Sequence, residues 1–324
     1  MEFYINGISA MTENGCAFSF KTGAFEDTVT KQFIHLRYGF DGEDSSHVGS
    51  VSAYQGFGNG TTLYAGVCAL GGSATMTVNP KSYKILSIGS SFATDAHRYL
   101  HDVALKDNIN IYTVNMFYSG CNLEQHYNYL INESKAYNYE QNGLRTDNKV
   151  SIQDMIHKED WDVITVQNSS ARSTRYGTFF PYLTELVNYI RSECPDSKVY
   201  LHETWSYADG SDVLAGVEDN KYPTSEAMYA AVSDAHERAA AEAGVDGIVY
   251  SGKVMLEAIK IYNHDIFRGD DMHASRGAGR YLLALVWYKT FTGRDVSENG
   301  FTSFDEAVQE SVRQNIIQIV NNNV

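Results

Sequence analysis

Positive charge is scarce in this sequence. Its 324 residues carry 25 Lys and Arg against 40 Asp and Glu, a formal net charge of −15. Nucleic acid and anionic membranes both require basic patches, so the balance argues against either as the main partner. Long apolar runs are also missing: none approaches the roughly 18–20 residues that a membrane-spanning helix needs. The opening stretch MEFYINGISAMTENG has no basic region followed by an apolar core. No secretory leader is therefore expected, and the chain reads as cytoplasmic or as already trimmed. Cysteine is confined to Cys16, Cys68, Cys121 and Cys194. No two of them form C-x-x-C, which counts against a zinc ribbon or a redox pair. One alternative is a Cys16–Cys68 disulfide within the N-terminal region; the expected state is four free, mostly buried thiols. Only 4 prolines occur, beside 23 tyrosines, a composition that suits an exposed sheet or a sugar-facing cleft.

Residues 1–80 differ from the rest. They hold 12 of the 26 glycines, with short runs such as CAFSF (16–20), QFIHLRYGF (32–40) and TTLYAGV (61–67) set between turn signals. The pattern predicts a small β-rich unit of antiparallel strands, either an accessory module or part of a larger one. From residue 81 onward strands alternate with helices. The predicted strands are KILSIG (84–89), INIYTV (109–114), WDVITVQ (161–167), KVYLHET (198–204) and GIVYS (247–251). Apolar residues at Ala96, Tyr99, Leu100 and Val103 have helical spacing. Further helices are predicted over 181–193, over 225–243 with Gly244 as the stop, and over 276–293. A last one is expected to open at the capping box Ser303-x-x-Glu306. The alternation implies an α/β fold: a flavodoxin-like, five-stranded parallel sheet with helices on both faces. Active sites in such folds lie at the carboxyl ends of the strands.

Ser91 meets that condition, in ILSIGSSFATDAHRYL, directly after a strand and before an amphipathic helix. The helix N-terminus there stabilises negative charge. Ser90 is a rival for the same role. Far down the chain, RGDDMHASRGAGRYLLALVWY places Asp270 three residues before His273. On a turn, that spacing lets a carboxylate reach the imidazole Nδ1 and leaves Nε2 free as a base.

Together these pieces resemble the SGNH (GDSL-type) hydrolases. GSSF (89–92) matches their first block, Gly-x-Ser after the first strand, and DDMH matches their last, Asp-x-x-His. YSGCNLEQH (118–126) resembles the second block, whose glycine, here Gly120, donates a backbone N–H to the oxyanion. The likeness covers residues 83–293 and is nearest to an uncharacterised bacterial branch. That branch's I-G-N-S-F, G-C-S-L-x-x-H, W-D-x-V-x-x-Q-x-x-S and H-x-T-W-x-Y stretches have counterparts at 89–92, 120–126, 161–170 and 202–207. The third block departs from Gly-x-Asn-Asp: here it reads VQNSS (166–170). Gln167 and Asn168 each carry an amide NH₂ suited to an oxyanion. Neighbours on a strand point to opposite faces, so one of the two is expected to act, with Gln167 favoured.

The resemblance implies a serine esterase with Ser91, His273 and Asp270 as triad. Its oxyanion hole would be built from Ser91, Gly120 and Gln167 or Asn168, and no metal or cofactor is involved. Short acyl esters on carbohydrate are the expected substrate. A lipid esterase or thioesterase, or a sugar-binding protein with a degenerate core, are the alternatives. His126, Trp205 and Tyr207 fall near strand ends and line the pocket or simply pack. His97 and His101 stand at i, i+4, the spacing of a metal pair, but no third ligand accompanies them. Asn59 and Asn132 head glycosylation sequons by spelling only.

Overall fold

The computed structural model describes residues 82–324 apart from 219–220, together with five short strands in the first 80 residues. The chain divides into two units, Met1–Pro80 and Lys81–Val324. In the first, β1 (Glu2–Ile5) pairs antiparallel with β2 (Ile8–Met11) and β5 (Leu63–Tyr64), and β3 (Ala24–Glu26) with β4 (Phe33–His35). The expected strand at 16–20 and the Cys16–Cys68 alternative lie outside the described residues. Cys121 and Cys194 are free thiols.

The second unit alternates as expected. Its elements are β6 (Ser82–Gly89), α1 (Ser91–His97), α2 (Leu100–Lys106), β7 (Asn110–Phe117), α3 (Leu123–Ile131), β8 (Tyr137–Gln141), β9 (Leu144–Val150) and α4 (Ile152–Ile156). They continue with β10 (Val163–Val166), α5 (Tyr182–Glu193), β11 (Lys198–His202), α6 (Asp212–Ala215), α7 (Ser225–Ala243), β12 (Gly247–Val249), α8 (Ser251–Tyr262), α9 (Ala278–Thr292) and α10 (Glu310–Asn323). The sheet runs β12-β11-β10-β6-β7-β8-β9. It has seven strands, not the expected five. The five expected ones are the parallel set, in flavodoxin-like order. The two extra strands form an antiparallel hairpin on the free edge of β7. Asn142 and Gly143 turn that hairpin with φ of 49° and 74°, the left-handed pair that an Asn-Gly loop supplies. β9 is mostly exposed, as a charged edge strand is, so no apolar alternation marks it.

Side chains alternate across β6 into two cores. Ile85 packs with α1, α2, α8, α9 and α10 on one face, while Leu86 and Ile88 pack with α3, α4, α5 and α7 on the other. Residues 281–288 of α9 are all fully buried, because this helix is hemmed in by α1, α2, α8 and α10. That is why its sequence is apolar all round, with no polar face. Gly244 and Gly293 end α7 and α9 in the left-handed conformation, at φ of 62° and 68°. The helix expected from Ser303 starts later, at Glu310. Residues before it are pinned instead: Asp305 accepts from Arg98 Nε at 2.8 Å and Arg280 at 3.1 Å, and its N–H donates to Tyr99 Oη at 2.7 Å.

Just past β11, Glu203 is fully buried and accepts from the Lys253 N–H at 2.9 Å, at the start of α8. Burial pushes its carboxyl up to about 8, against the opposing pull of the Lys253 and Gly252 N–H groups and Tyr229. The folded protein thus keeps a proton that the unfolded chain releases near 4.5. Stability should therefore fall as pH rises from about 4.5 to about 8. Glu203→Gln should flatten the melting temperature across that window and raise it at the alkaline end. An equally steep decline in the variant would contradict this assignment.

Candidate active site

β6 ends at Gly89 and α1 begins at Ser91, so the chain reverses over one residue. Ser90 takes the N-cap position. Its side chain turns inward: the Ser90 N–H and Oγ donate to Gln167 Oε1 at 3.0 and 2.9 Å. Ser90 is thus buried, with its hydroxyl committed to Gln167. Ser91 faces the other way, and its Oγ lies 2.8 Å from His273 Nε2.

The loop before α9 carries the other two groups. His273 Nδ1 lies 2.8 Å from Asp270 Oδ2, while Asp270 Oδ1 accepts the N–H groups of Met272 and His273 at 3.1 and 2.8 Å. Partial burial pushes the Asp270 carboxyl up. The backbone and ring N–H groups of His273 and the Met272 N–H outweigh it and hold the acid below its ordinary range. It therefore stays ionised, and an ionised acceptor at Nδ1 keeps the proton there and leaves Nε2 as the base. Asp271 bonds His264 instead, Oδ1 to Nδ1 at 2.8 Å. The structure thus brings Ser91, His273 and Asp270 into one line of hydrogen bonds.

The two amides expected near an oxyanion are engaged within the protein. Gln167 and Asn168 are 1% and 0% exposed. Gln167 is a strut between strand ends: Oε1 holds Ser90, and Nε2 bonds His202 Nδ1 at 3.1 Å. With Nδ1 accepting, His202 carries its proton on Nε2 and donates to Ser251 Oγ at 3.1 Å. Burial holds that imidazole neutral. Asn168 ties two loops, accepting from the Leu123 and Ser169 N–H groups and donating to Thr178 Oγ1. The N–H groups of Ser91 and Gly120, by contrast, donate to no partner among the described residues. Gly120 is exposed, with φ of 60°, a conformation that favours glycine. Its loop starts beside the end of β6, where the Tyr118 N–H donates to Gly89 O at 3.4 Å.

Of the two expectations for His126, Trp205 and Tyr207, packing is what the burial favours: all three are interior, at 0%, 0% and 2% exposure. His126 bonds Tyr137 Oη at 2.8 Å and Cys121 Sγ at 3.4 Å, beneath the Gly120 loop. Burial pushes the Cys121 thiol up to about 12, which leaves it a neutral packing group. Trp205 stacks on Phe92 at 3.8 Å, and Phe92 meets the His273 ring edge-on at 5.7 Å. The Trp205 Nε1–H donates to Met272 O at 2.9 Å. Tyr207 donates to Ser170 Oγ. They support the site from below. His97 and His101 spend ring nitrogens on Ser87 Oγ and Ile111 O, each at 2.8 Å, as structural residues do. Sequence reasoning missed Asp95, a carboxylate on the buried side of α1. Its only signal was an acid among the apolar positions of SFATDAH.

The two amides should therefore behave alike. Gln167→Ala and Asn168→Ala should each lower the melting temperature, since stranding buried polar partners costs about 1–3 kcal/mol. Any change in activity should move kcat and KM together. A kcat-only loss in either, with normal stability, would restore that amide as an oxyanion donor.

The family model for DUF4886, a domain of unknown function, matches residues 84–318. A DUF4886 family protein from Bacteroides uniformis is 31% identical, with 75% of this chain and 94% of that one covered and a TM-score of 0.69. Two further solved structures are more distant. A candidate SGNH hydrolase from Slackia heliotrinireducens is 20% identical, covering 65% of this chain and 100% of that one, with a TM-score of 0.48. A family 3 carbohydrate esterase from Clostridium thermocellum is 14% identical, covering 64% and 94%, with a TM-score of 0.42. No curated protein matches the chain. On the extent of the family match and the identity to the Bacteroides protein, the chain belongs to the DUF4886 family.

Proposed function

We propose that this chain is a serine esterase that removes short acyl groups, acetyl foremost, from carbohydrate. The observation that carries the reading is the line Ser91 Oγ–His273 Nε2 and His273 Nδ1–Asp270 Oδ2, each link 2.8 Å. A hydroxyl within hydrogen-bond reach of an imidazole that a carboxylate orients is the arrangement of an activated nucleophile. The acidic chain disfavours anionic acyl acceptors and suits a neutral sugar.

In the reaction, Ser91 Oγ attacks the ester carbonyl as its proton passes to His273 Nε2. Asp270 stabilises the imidazolium. The negative charge on the carbonyl oxygen is met by the N–H groups of Ser91 and Gly120. Collapse breaks the ester bond, and the imidazolium gives its proton to the departing alcohol. Water, deprotonated by His273, then cleaves the acyl-serine and returns the proton to Ser91.

Turnover of p-nitrophenyl acetate is the first test. Ser91→Ala should lower kcat by on the order of 10⁴–10⁶, as in other serine hydrolases, while Ser90→Ala keeps the nucleophile. Asp270→Asn should cost roughly 10²–10⁴ through the wrong tautomer, and Asp271→Asn far less. EDTA should leave the rate unchanged. Acetate should be preferred to octanoate, and acetylated polysaccharides should release acetate. Faster octanoate cleavage would instead point to a lipid esterase. Sugar binding without turnover would point to a binding protein.

A further inference from the structure

We propose that Asp95 is the positioning residue that sets the nucleophile against the base, as a buried carboxylate clamped by Arg268 and Arg280. The proposal rests on the serine-esterase reading and deepens it.

Ser91 and Asp95 stand four residues apart on α1, hence on one face of the helix. The facing loop uses consecutive residues to meet them. The His273 imidazole reaches Ser91 Oγ at 2.8 Å, and the Ala274 N–H donates to Asp95 Oδ2 at 3.2 Å. Two anchors one helical turn apart fix both the distance and the tilt of the loop against α1. A single hydrogen bond would leave the loop free to pivot.

Arg268 closes the arrangement from the other side of the loop. Its N–H donates to His273 O at 2.8 Å, and its Nε donates to Ala274 O at 3.0 Å. Its terminal guanidinium nitrogen bonds Asp95 Oδ1. Phe267 and Ala274 pair as an antiparallel bridge, and the Ser275 N–H donates to Ile266 O at 2.9 Å. The segment is therefore a closed hairpin with Asp270 and His273 near its tip. Arg280 adds α9: its Nε donates to Asp95 Oδ1 at 2.9 Å and its terminal nitrogen to Asp305 Oδ2 at 3.1 Å.

Stability alone gives little reason to keep such a group. Asp95 is fully buried, and its carboxyl is pushed up by desolvation while Arg268 and Arg280 oppose that push. Buried ion pairs are often no more stable than apolar replacements of equal volume. They do fix geometry, because a planar guanidinium holds a carboxylate in one orientation. The Asp95 cluster sits where geometry matters most, between residues 182 apart in the chain that must meet within a hydrogen bond.

Asp95→Asn tests this, since it keeps the shape and one acceptor while removing the charge. Arg268→Met is the second variant, on a side chain 29% exposed, and takes over should Asp95→Asn fail to fold. With p-nitrophenyl acetate, folded protein of each variant should lose kcat by about 10²-fold, the cost of a misplacement near 1 Å, with KM little changed. Fluorophosphonate labelling of Ser91 should slow in parallel. Arg98→Gln touches Asp305 but not Asp95 and should keep wild-type kcat. The proposal is overturned if kcat per folded molecule is unchanged in both variants, or if Arg98→Gln loses as much. If the wild type itself neither turns over ester nor labels at Ser91, the esterase reading fails, and crystal structures then decide the positioning role. A Ser91–His273 contact present in the wild type and lost in Asp95→Asn supports it; the same contact in both overturns it.

Discussion

The 2.8 Å hydrogen bond between Ser91 and His273 joins residues 182 apart in the chain, and much of the second unit serves to hold it. Ser91 stands where it does because β6 lies at the centre of the seven-stranded sheet and ends two residues earlier, at Gly89. His273 stands where it does because its loop is tied to α1 by Asp95 and Arg268 and to the Trp205 indole through Met272 O. Beneath both, Phe92 and Trp205 stack and give the imidazole a rigid apolar wall. Ser91 itself is half-buried, on top of a support that is almost wholly buried.

That support is unusually polar for an interior. Ser90, Gln167, His202 and Ser251 form one buried chain of hydrogen bonds across the ends of β6, β10 and β11 to the first residue of α8. Each group in it is satisfied by the next, which is the condition for a buried polar network to rigidify rather than destabilise a core. The consequence for function is directional. Ser90 is drawn down into the sheet, and Ser91 is thereby turned up toward His273.

Much of this was legible in the sequence, for physical reasons. The parallel strands are buried on both faces and so appear as continuous apolar runs; all five were found. The β8–β9 hairpin was not, because β9 is a polar edge strand, although Asn142-Gly143 signalled its turn. That Ser91, Asp270 and His273 meet was legible because a strand end and a turn fix their local spacing. The hydrogen bonds of Gln167 are not legible in the sequence because its partners, Ser90 and His202, lie 77 and 35 residues away, and no local pattern encodes them. For Trp205 and Tyr207 a position near a strand end leaves lining and packing both open, and their partners Met272 and Ser170 lie 67 and 37 residues away. Asp95 was overlooked because an acid on a helix is ordinarily a solvated one.

In the proposed reaction Ser91 becomes covalently acylated, with His273 as the base that makes it nucleophilic. Rapid acid quenching during turnover of an acetyl ester, followed by peptide mass spectrometry, addresses that step directly. The expected result is an acetyl adduct on Ser91 that is absent when His273 is replaced by Ala. An adduct on any other residue, or turnover with no adduct at Ser91 under conditions that trap acyl-enzymes, would contradict it.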